Sequence, residues 1–315
     1  MQHLEGVVIQ MFSRSVLVDT AEGILAASLR GKLRARGGKG GCPVVAGDRV
    51  HLSRTGPGEG ALESVLARTS ELRRATAGGK PVVVAANVEG MLAILAARDP
   101  PPRWTLVDRM LVAAETQGLR PAICVNKWDQ VEGDPREARA LLDVAAVYRE
   151  LSYPIFTASA LEGTGLADLS SWLAGKSTVF SGHSGVGKST MLNALIPGLA
   201  LRTGDVNPVT GKGRHTTSAA FLLRLPAGGY AVDTPGFREF QPVGLEPQEL
   251  GRSYPEFCRV LGGCRFRDCL HRSEPSCAVR AAVDRGEISK VRYDNYLQIL
   301  GSLLETGSRP PQLLP

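Results

Sequence analysis

Long hydrophobic runs are missing from this sequence of 315 residues. No apolar run reaches the roughly 20 residues that a membrane helix needs. The nearest candidate, residues 81–97, is interrupted by Asn87 and Glu89. The first ten residues, MQHLEGVVIQ, contain an early acid and no apolar segment of the signal-peptide kind. These absences exclude a membrane protein and predict a cytoplasmic location.

Aromatic residues and cysteines are also scarce. Aromatics make up 5% of the chain, so its cores must rely on Val, Leu, Ile and Ala. Four of the six cysteines lie within residues 258–277, and disulfides are rare in a cytoplasmic protein. A net charge of +6 and a pI near 9.1 indicate an anionic partner or, as the alternative, a merely basic surface.

Three regions differ in their patterning, and the length predicts two or three domains. Residues 1–75 alternate short apolar runs with turn residues, which predicts a small β-sandwich or barrel. A basic run at residues 30–39 is typical of a nucleic-acid platform or of a solvated loop. Residues 76–245 alternate strand and helix patterns, which predicts a mostly parallel sheet covered on both faces. Residues 246–315 combine a Cys/His-rich loop with helical patterning and a tail that is predicted to be disordered.

A phosphate-binding loop is predicted between an apolar strand and a helix. The run fits G-x-x-x-x-G-K-[ST], whose glycines let backbone N–H groups converge on phosphate oxygens. Lys188 is expected to reach the β- and γ-phosphates, and Ser189 to ligate Mg²⁺. The loop consists of Gly182, His183, Ser184, Gly185, Val186, Gly187, Lys188, Ser189 and Thr190.

A guanine-reading motif, N-K-x-D, follows the predicted strand PAICVN. It consists of Asn126, Lys127, Trp128 and Asp129. The carboxylate of Asp129 can accept hydrogen bonds from guanine N1–H and the exocyclic amine, a donor pair that adenine does not present. Asn126 is expected to brace the site, and the stem of Lys127 to lie over the base. Ser159 and Ala160, at the end of another strand, predict a loop whose backbone N–H meets guanine O6.

The remaining nucleotide motifs are D-x-x-G at residues 233–236 and the stretch GRHTT at residues 213–217. Asp233 is expected near Mg²⁺ through water, and the N–H of Gly236 near the γ-phosphate. Thr216, or alternatively Thr217, is the candidate Mg²⁺ ligand of a switch loop. The base reader precedes the phosphate loop, which reverses the usual order. A circular permutation accounts for this order, since permutation is tolerated where chain termini are close.

With these motifs together the chain resembles the circularly permuted GTPases of the RsgA/YjeQ type, which are bacterial ribosome-small-subunit-dependent GTPases. The resemblance covers nearly the whole length. It rests on ANVEGMLAILAA, NKWD, SALEGTG, SGHSGVGKSTMLNAL, GRHTT, DTPGFREF and CRFRDCLHRSEPSCAV. It implies an N-terminal OB-fold β-barrel at residues 1–75, a permuted α/β P-loop GTPase at 76–245, and a small helical zinc-binding domain at 246–315. Glu89 and the order Trp128-Asp129-Gln130 depart slightly from the usual pattern.

The Cys/His-rich loop offers three thiols and one imidazole, a set suited to a closed tetrahedral Zn²⁺ site. Buried free thiols or disulfides are the alternatives. The set consists of Cys264, Cys269, His271 and Cys277. Cys258 lies outside the pattern implied by the resemblance and is interpreted, with Cys124, as a core residue. The exposure of Cys42 is left open.

Catalysis is expected to be slow without a partner. The position after D-x-x-G, where many GTPases carry a water-positioning Gln, is Phe237 here. His215 is the candidate that orients the attacking water, with Lys188 and Thr216 completing the catalytic set.

The resemblance implies that GTP is hydrolysed to GDP under stimulation by the small ribosomal subunit and its rRNA, during late subunit maturation. We expect a monomer. The alternatives are a permuted GTPase acting on another RNA or protein, and a nucleotide-gated RNA-binding module with negligible turnover.

Overall fold

The structure is a computed structural model that describes residues 3–12, 15–29, 44–74, 81–201, 220–234 and 244–307. The basic run at 30–39, Cys42 and the tail from residue 308 lie outside these ranges. Within the described chain, no helix combines the length and apolar character needed to cross a bilayer.

The first element is a closed five-stranded barrel in the order β1-β2-β3-β5-β4. Alternation along the strands fills its interior with valine, leucine and alanine, including Val8, Val18, Leu52 and Leu62. The predicted N-terminal barrel is thereby confirmed. Its strands are β1 (His3–Met11), β2 (Ser15–Thr20), β3 (Gly23–Leu29), β4 (Arg49–Gly56) and β5 (Glu59–Val65).

A two-stranded hairpin, which the sequence patterning did not predict, follows the barrel. It pairs β6 (Glu71–Arg74) with β7 (Val82–Ala86) in antiparallel fashion. Ala85 also forms an isolated bridge to Ala46 beside the barrel. The predicted domain boundary at residue 75 falls between these strands, outside the described residues, and stays a prediction, as does the boundary at residue 245.

The central sheet has six strands in the order β10-β9-β8-β11-β13-β12. All neighbours are parallel except β12 and β13, so the predicted mostly parallel sheet is confirmed. Its strands are β8 (Gly90–Ala96), β9 (Arg120–Asn126), β10 (Ile155–Thr157), β11 (Lys176–Gly182), β12 (Phe221–Arg224) and β13 (Gly229–Asp233). The helices described between these strands are α1 (Trp104–Glu115), α2 (Pro135–Glu150), α3 (Leu166–Leu173) and α4 (Lys188–Leu195).

Two apolar clusters pack on this sheet, and together they keep both faces from water. One contains Met110 and Leu111 of α1, and the other contains Leu169 of α3 and Met191 of α4. β8 is buried along its whole length, as expected for a strand in the middle of a parallel sheet. This packing fixes the edge at which the parallel strands end.

The C-terminal region is helical, as predicted. It consists of 3-10 turns at Pro247–Ser253 and Leu261–Gly263 and of helices α5 (Pro255–Cys258), α6 (Ala278–Asp284) and α7 (Lys290–Gly307). Its core is rich in aromatic rings and includes Tyr254, Phe257 and Tyr296. The interpretation of Cys258 as a core residue is wrong: α5 turns Phe257 inward, which leaves the Cys258 thiol exposed. Cys124 is fully buried, as expected.

Candidate functional site

The predicted nucleotide-binding residues lie at the carboxyl edge of the central sheet. β9 ends at Asn126, β11 ends at Gly182, and β13 ends at Asp233. Because β8, β9, β11 and β13 run parallel, their carboxyl ends meet at one edge, where α/β sheets bind ligands. The structure therefore brings together motifs that are about 100 residues apart in the sequence.

The phosphate-loop backbone is shaped by glycines with little room for a side chain. A Cβ at Gly182 would lie 2.3 Å from the carbonyl oxygen of Ile94, and Gly185 and Gly187 have φ of +85° and +92°. Lys188 Nζ donates to the carbonyl oxygens of Gly182 and His183, at 2.6 and 3.1 Å. The ammonium group thus lies against the inside of the loop, and α4 begins at the same residue.

Asn126 connects three of the predicted motifs with one buried side chain. Its Nδ2 donates to the carbonyl oxygen of Val186 in the phosphate loop, at 2.8 Å. Its Oδ1 accepts from the backbone N–H of Ala160, at 3.1 Å. The amide also lies so close to Gly187 that a Cβ there would be 2.4 Å from Asn126 Nδ2. An amide, with a donor and an acceptor at fixed positions, satisfies both partners at once.

Asp129 and Ser159 face each other across the same edge. The Ser159 hydroxyl donates to Asp129 Oδ1 at 2.6 Å, and it accepts from the Glu162 N–H at 3.1 Å. Asp129 is half-buried in a 3-10 turn, Trp128–Gln130. One carboxylate oxygen is therefore held by protein.

Lys127 precedes that turn in a left-handed conformation, with φ of +61°. Its Nζ donates to the carbonyl oxygen of Asp99 at 2.6 Å, and Gln130 Oε1 accepts from the Asp99 N–H at 3.1 Å. The loop after β8 thus belongs to the candidate site, although the sequence motifs did not include it. Asp99-Pro100-Pro101-Pro102 marks a turn right after a buried strand, which was the available signal.

Asp233 is nine-tenths buried at the end of β13. Burial raises the pKa of its carboxyl, and the nearby Lys188 ammonium opposes that rise. Ser189 and Thr190 are half-buried in the first turn of α4. The other predicted residues of this site, His215, Thr216 and Gly236, lie outside the described residues, as do Thr217 and Phe237.

The Cys/His set forms a compact cluster in the C-terminal region. The ligand atoms of Cys264, Cys269, His271 and Cys277 all lie within 4.8 Å of one another. His271 Nδ1 is 3.6 Å from Cys264 Sγ and 3.5 Å from Cys277 Sγ. Ligands of a tetrahedral zinc site, bound at about 2.0–2.3 Å, are separated by similar distances.

The chemistry of the cluster also fits a divalent cation. Burial, together with the neighbouring thiols, raises the pKa of the Cys269 thiol to about 12, although the backbone N–H of His271 opposes the rise. Burial likewise lowers the pKa of His271. Without a cation the set would hold neutral thiols and a neutral imidazole in contact, whereas a cation stabilises thiolates. The other imidazole nitrogen, Nε2, faces Gly251, where a Cβ would be 3.2 Å away.

Comparisons with known proteins agree with this arrangement. The family model described as RsgA GTPase matches residues 65–242. The small ribosomal subunit biogenesis GTPase RsgA of Pseudomonas fluorescens (strain SBW25) is 41% identical over 304 residues, which cover 96% of this chain and 86% of that protein. The protein of the same name from Moorella thermoacetica is 38% identical and is matched over 98% of its length, against 96% of this chain.

Two solved structures resemble the whole chain. The crystal structure of YjeQ from Thermotoga maritima has a TM-score of 0.79 and 35% identity, over 98% of this chain and all of that one. The structure of YloQ, described as a circularly permuted GTPase, has a TM-score of 0.75 and 29% identity, over 98% of each chain. The likeness therefore extends through the barrel, the central sheet and the C-terminal region.

Proposed function

The chain belongs to the RsgA GTPase family, and from that premise we propose that it hydrolyses GTP to GDP and phosphate in the late maturation of the small ribosomal subunit. GTP hydrolysis is the activity of the family, and the permuted order of motifs is shared with YloQ. The related proteins are named for small ribosomal subunit biogenesis. A nucleotide-gated module with negligible turnover is not favoured.

The observation that carries the proposal is the position of Asn126. Its amide contacts Val186 of the phosphate loop and Ala160 of the Ser-Ala loop, and Asp129 follows it by three residues. Base recognition and phosphate binding would thus share one rigid support. Asp129 would accept from guanine N1–H and the exocyclic amine, and Ala160 N–H would lie near guanine O6. Lys127 would extend along the base, and Trp128 would fix the turn.

The loop from Gly182 to Thr190 would bind the phosphates of GTP. Its backbone N–H groups and the start of α4 would hold the phosphate oxygens, and Lys188 would exchange its contacts with Gly182 and His183 for the β- and γ-phosphates. Ser189 and Thr216 would ligate Mg²⁺, and Asp233 would reach it through water. When bound, Mg²⁺ would neutralise phosphate charge. The N–H of Gly236 would meet the γ-phosphate.

Hydrolysis would depend on a group outside the phosphate loop. Since Phe237 cannot polarise water, we propose that His215 orients the attacking water, with Lys188 and Thr216 stabilising charge on the phosphate. The small subunit would supply the order that brings His215 to the water. Turnover of His215→Ala in the presence of subunits tests this role, because unchanged stimulation with unchanged binding would exclude His215.

Cys264, Cys269, His271 and Cys277 would bind one structural Zn²⁺. The distances within the cluster and its buried thiols support this assignment. A closed site of four protein ligands has no open position for substrate, so the metal would act on folding only. We further propose that the chain is a cytoplasmic monomer, that rRNA is part of its binding site on the subunit, and that the domains divide at residues 75/76 and 245/246.

Base specificity gives the sharpest test of the nucleotide site. Asp129→Asn should weaken GTP binding at least about tenfold, since hydrogen bonds to a charged group each contribute about 1.5–3 kcal/mol. The new amide donates where the carboxylate accepted, so the variant should gain affinity for xanthine nucleotides. The control is Asp143→Asn, which changes an exposed carboxylate of α2 in the same way and should leave GTP binding unchanged. An Asp129→Asn variant that prefers GTP as strongly as the parent chain would exclude the base-reader assignment.

A further inference from the structure

The loop between the first two cysteines of the metal-binding cluster exposes an aromatic ring. Phe266 is 40% exposed and lies between Arg265 and Arg267, which are both exposed. Among the Phe, Tyr and Trp residues that the structure describes, the others are all buried or half-buried. The remaining rings of this region pack into the C-terminal core. A single exposed apolar side chain is ordinary on a protein surface, so a partner for this ring is inferred from its support and from the charges around it.

The loop and the turn that follows it, residues 270–274, are both held in place. Its ends, Cys264 and Cys269, belong to the cluster. The N–H of Arg265 donates to the carbonyl oxygen of Ser276 at 3.4 Å. The Glu274 carboxylate accepts from the backbone N–H groups of Leu270, Arg272 and Ser273, at 2.8, 2.8 and 3.0 Å. Phe266 is therefore presented on a fixed support, which lowers the entropy cost of binding through it.

The sequence on either side of the ring is strongly basic. Residues 259–280 contain five arginines, all exposed, against two acids. One of these acids, Glu274, accepts backbone hydrogen bonds in the turn that follows the loop. The arginines are Arg259, Arg265, Arg267, Arg272 and Arg280. Clustered arginines on one small domain are the electrostatic footprint of a phosphate backbone.

The ring and the charges also act together. The Arg265 guanidinium lies 5.5 Å from the centroid of the Phe266 ring, within the range of a cation–π contact. An arginine beside an aromatic ring, on a basic surface, is the combination that binds single-stranded nucleic acid: the ring stacks on a base while the guanidinium binds phosphate. We propose that Phe266 stacks on an unpaired base of small-subunit rRNA, with Arg265 and Arg267 on the flanking phosphates. This inference rests on the proposed function.

An unpaired base fits the site better than a duplex or a protein surface. Bases within an A-form helix are stacked on each other, and proteins reach base faces mainly in loops, bulges and ends. A protein partner for an exposed phenylalanine would need an apolar pocket, and arginines are costly to desolvate beside one. Phosphates accept both arginines without that cost, because the guanidinium forms paired hydrogen bonds with phosphate oxygens.

The test measures the affinity of the full chain, bound to a non-hydrolysable GTP analogue, for intact small subunits and for naked small-subunit rRNA. Phe266→Ala should weaken both affinities by about tenfold or more, as expected for the loss of one stacked base. Phe266→Trp should keep them, whereas Phe266→Leu should lose most of the affinity because it keeps apolar area but no ring face. Val291→Ala, which removes an equally exposed apolar side chain from α7, should change neither.

A second arm tests the phosphate contacts. Arg267→Gln should lower the slope of log affinity against log salt by about one, as loss of a single phosphate contact does. Arg139→Gln, on α2 and paired with Asp143 at 2.8 Å, should leave the slope unchanged. Metal content and turnover without subunits should be unchanged in every variant, which shows that the fold is intact.

Three results would overturn the inference. Phe266→Leu as tight as the parent chain would mean that no ring stacks on a base. Equal losses in Phe266→Ala and Val291→Ala would mean a nonspecific apolar effect. Weakened binding to subunits with unchanged binding to naked rRNA would assign Phe266 to a ribosomal protein. In all three cases the parent chain still binds subunits, whereas failure of the parent chain to bind them would contradict the proposed function itself.

Discussion

The barrel and the C-terminal region are attached to the central sheet in different ways. At the barrel, Asp19 of β2 is buried and accepts from the Tyr230 hydroxyl at 2.7 Å and from Arg224 Nη1 at 3.2 Å. Arg224 and Tyr230 face each other across β12 and β13, so one carboxylate holds both strands. The Arg224 side chain, however, is 68% exposed, and water can replace its contact.

At the C-terminal region the contacts are buried on every side. Arg292 of α7 is 1% exposed and contacts Asp108 of α1 and Glu256 of α5. Asn295 donates to Asp108 at 2.7 Å, and the Thr105 hydroxyl donates to Asn295 at 2.6 Å. The guanidinium also lies 4.4 Å from the centre of the Tyr254 ring.

The two attachments differ in whether water can replace their polar contacts. Removing one member of a buried ion cluster leaves uncompensated charges, whereas an exposed pair is readily solvated. The C-terminal helices and α1 should therefore unfold and move together, while the barrel can separate from the sheet at lower cost. Both attachments connect to the edge with the nucleotide motifs: α1 follows the loop in which Asp99 contacts Lys127, and β13, which carries Tyr230, ends at Asp233.

Removal of the proposed zinc ion should have the largest effect on this comparison. Cys269 and Cys277 belong to the C-terminal core, and structural zinc contributes about 10 kcal/mol or more in small zinc domains. Chelation should unfold the C-terminal region, make three further thiols reactive, and leave the barrel and most GTP binding intact. Thiol titration and circular dichroism measure this.

The matched variant is Cys258→Ser, which alters an exposed thiol outside the cluster and should retain the metal. Protein that contains no zinc when purified without chelators would refute the metal assignment.

Arg292→Met should cost about 3–5 kcal/mol in the stability of the C-terminal region, because Asp108 and Glu256 are left buried without their cation. Amide hydrogen exchange in α7 under mild urea reports the change. The control is Arg285→Met, whose pair with Glu287 is exposed and should contribute little to stability, because water screens it. If the amide hydrogens of α7 are equally protected from exchange in Arg292→Met and Arg285→Met, the C-terminal region is not attached through the buried ion cluster.

A pH dependence should follow from Asp108. Burial raises the pKa of its carboxyl to about 6, against the opposing effects of Arg292 and Asn295. The unfolded carboxyl titrates near 3.9, so the folded state binds the proton more tightly. Relative to Asp108→Asn, the free energy of unfolding of the parent chain should therefore rise as pH falls from about 6 to 4. The rise should be on the order of 2–3 kcal/mol, since one pKa unit corresponds to about 1.4 kcal/mol. If the difference in unfolding free energy between the parent chain and Asp108→Asn stays constant or decreases as pH falls, the prediction is wrong.

The smallest effects are expected at the barrel. Tyr230→Phe removes one hydrogen bond to Asp19 and should cost about 1 kcal/mol, and Arg224→Ala should cost less than that because the side chain is exposed. Urea unfolding of the two single variants and of the double variant measures the stability lost at each contact and the coupling between the two contacts. A loss at Arg224 as large as that at Arg292 would remove the distinction between the two attachments.

The sequence predicted what depends on local pattern. The sheet and its helices followed from apolar periodicity, and the nucleotide motifs could be placed at strand ends because each motif is continuous in the chain. The Cys/His set was equally local. The buried cluster around Arg292 could not be predicted, because an arginine in a helix usually faces water and its partner Asp108 is 184 residues away. Cys258 was misassigned because the short α5 shows no periodicity, and the β6–β7 hairpin gave no alternation strong enough to recognise.

Turnover of GTP with and without small ribosomal subunits tests the central claim most directly. The account predicts slow hydrolysis by the chain alone, strong stimulation by subunits, and little hydrolysis of ATP under either condition. Lys188→Ala should abolish the stimulated rate, since the phosphate loop loses its ammonium group. Hydrolysis of GTP that subunits leave unchanged, or equal hydrolysis of ATP and GTP, would contradict the account.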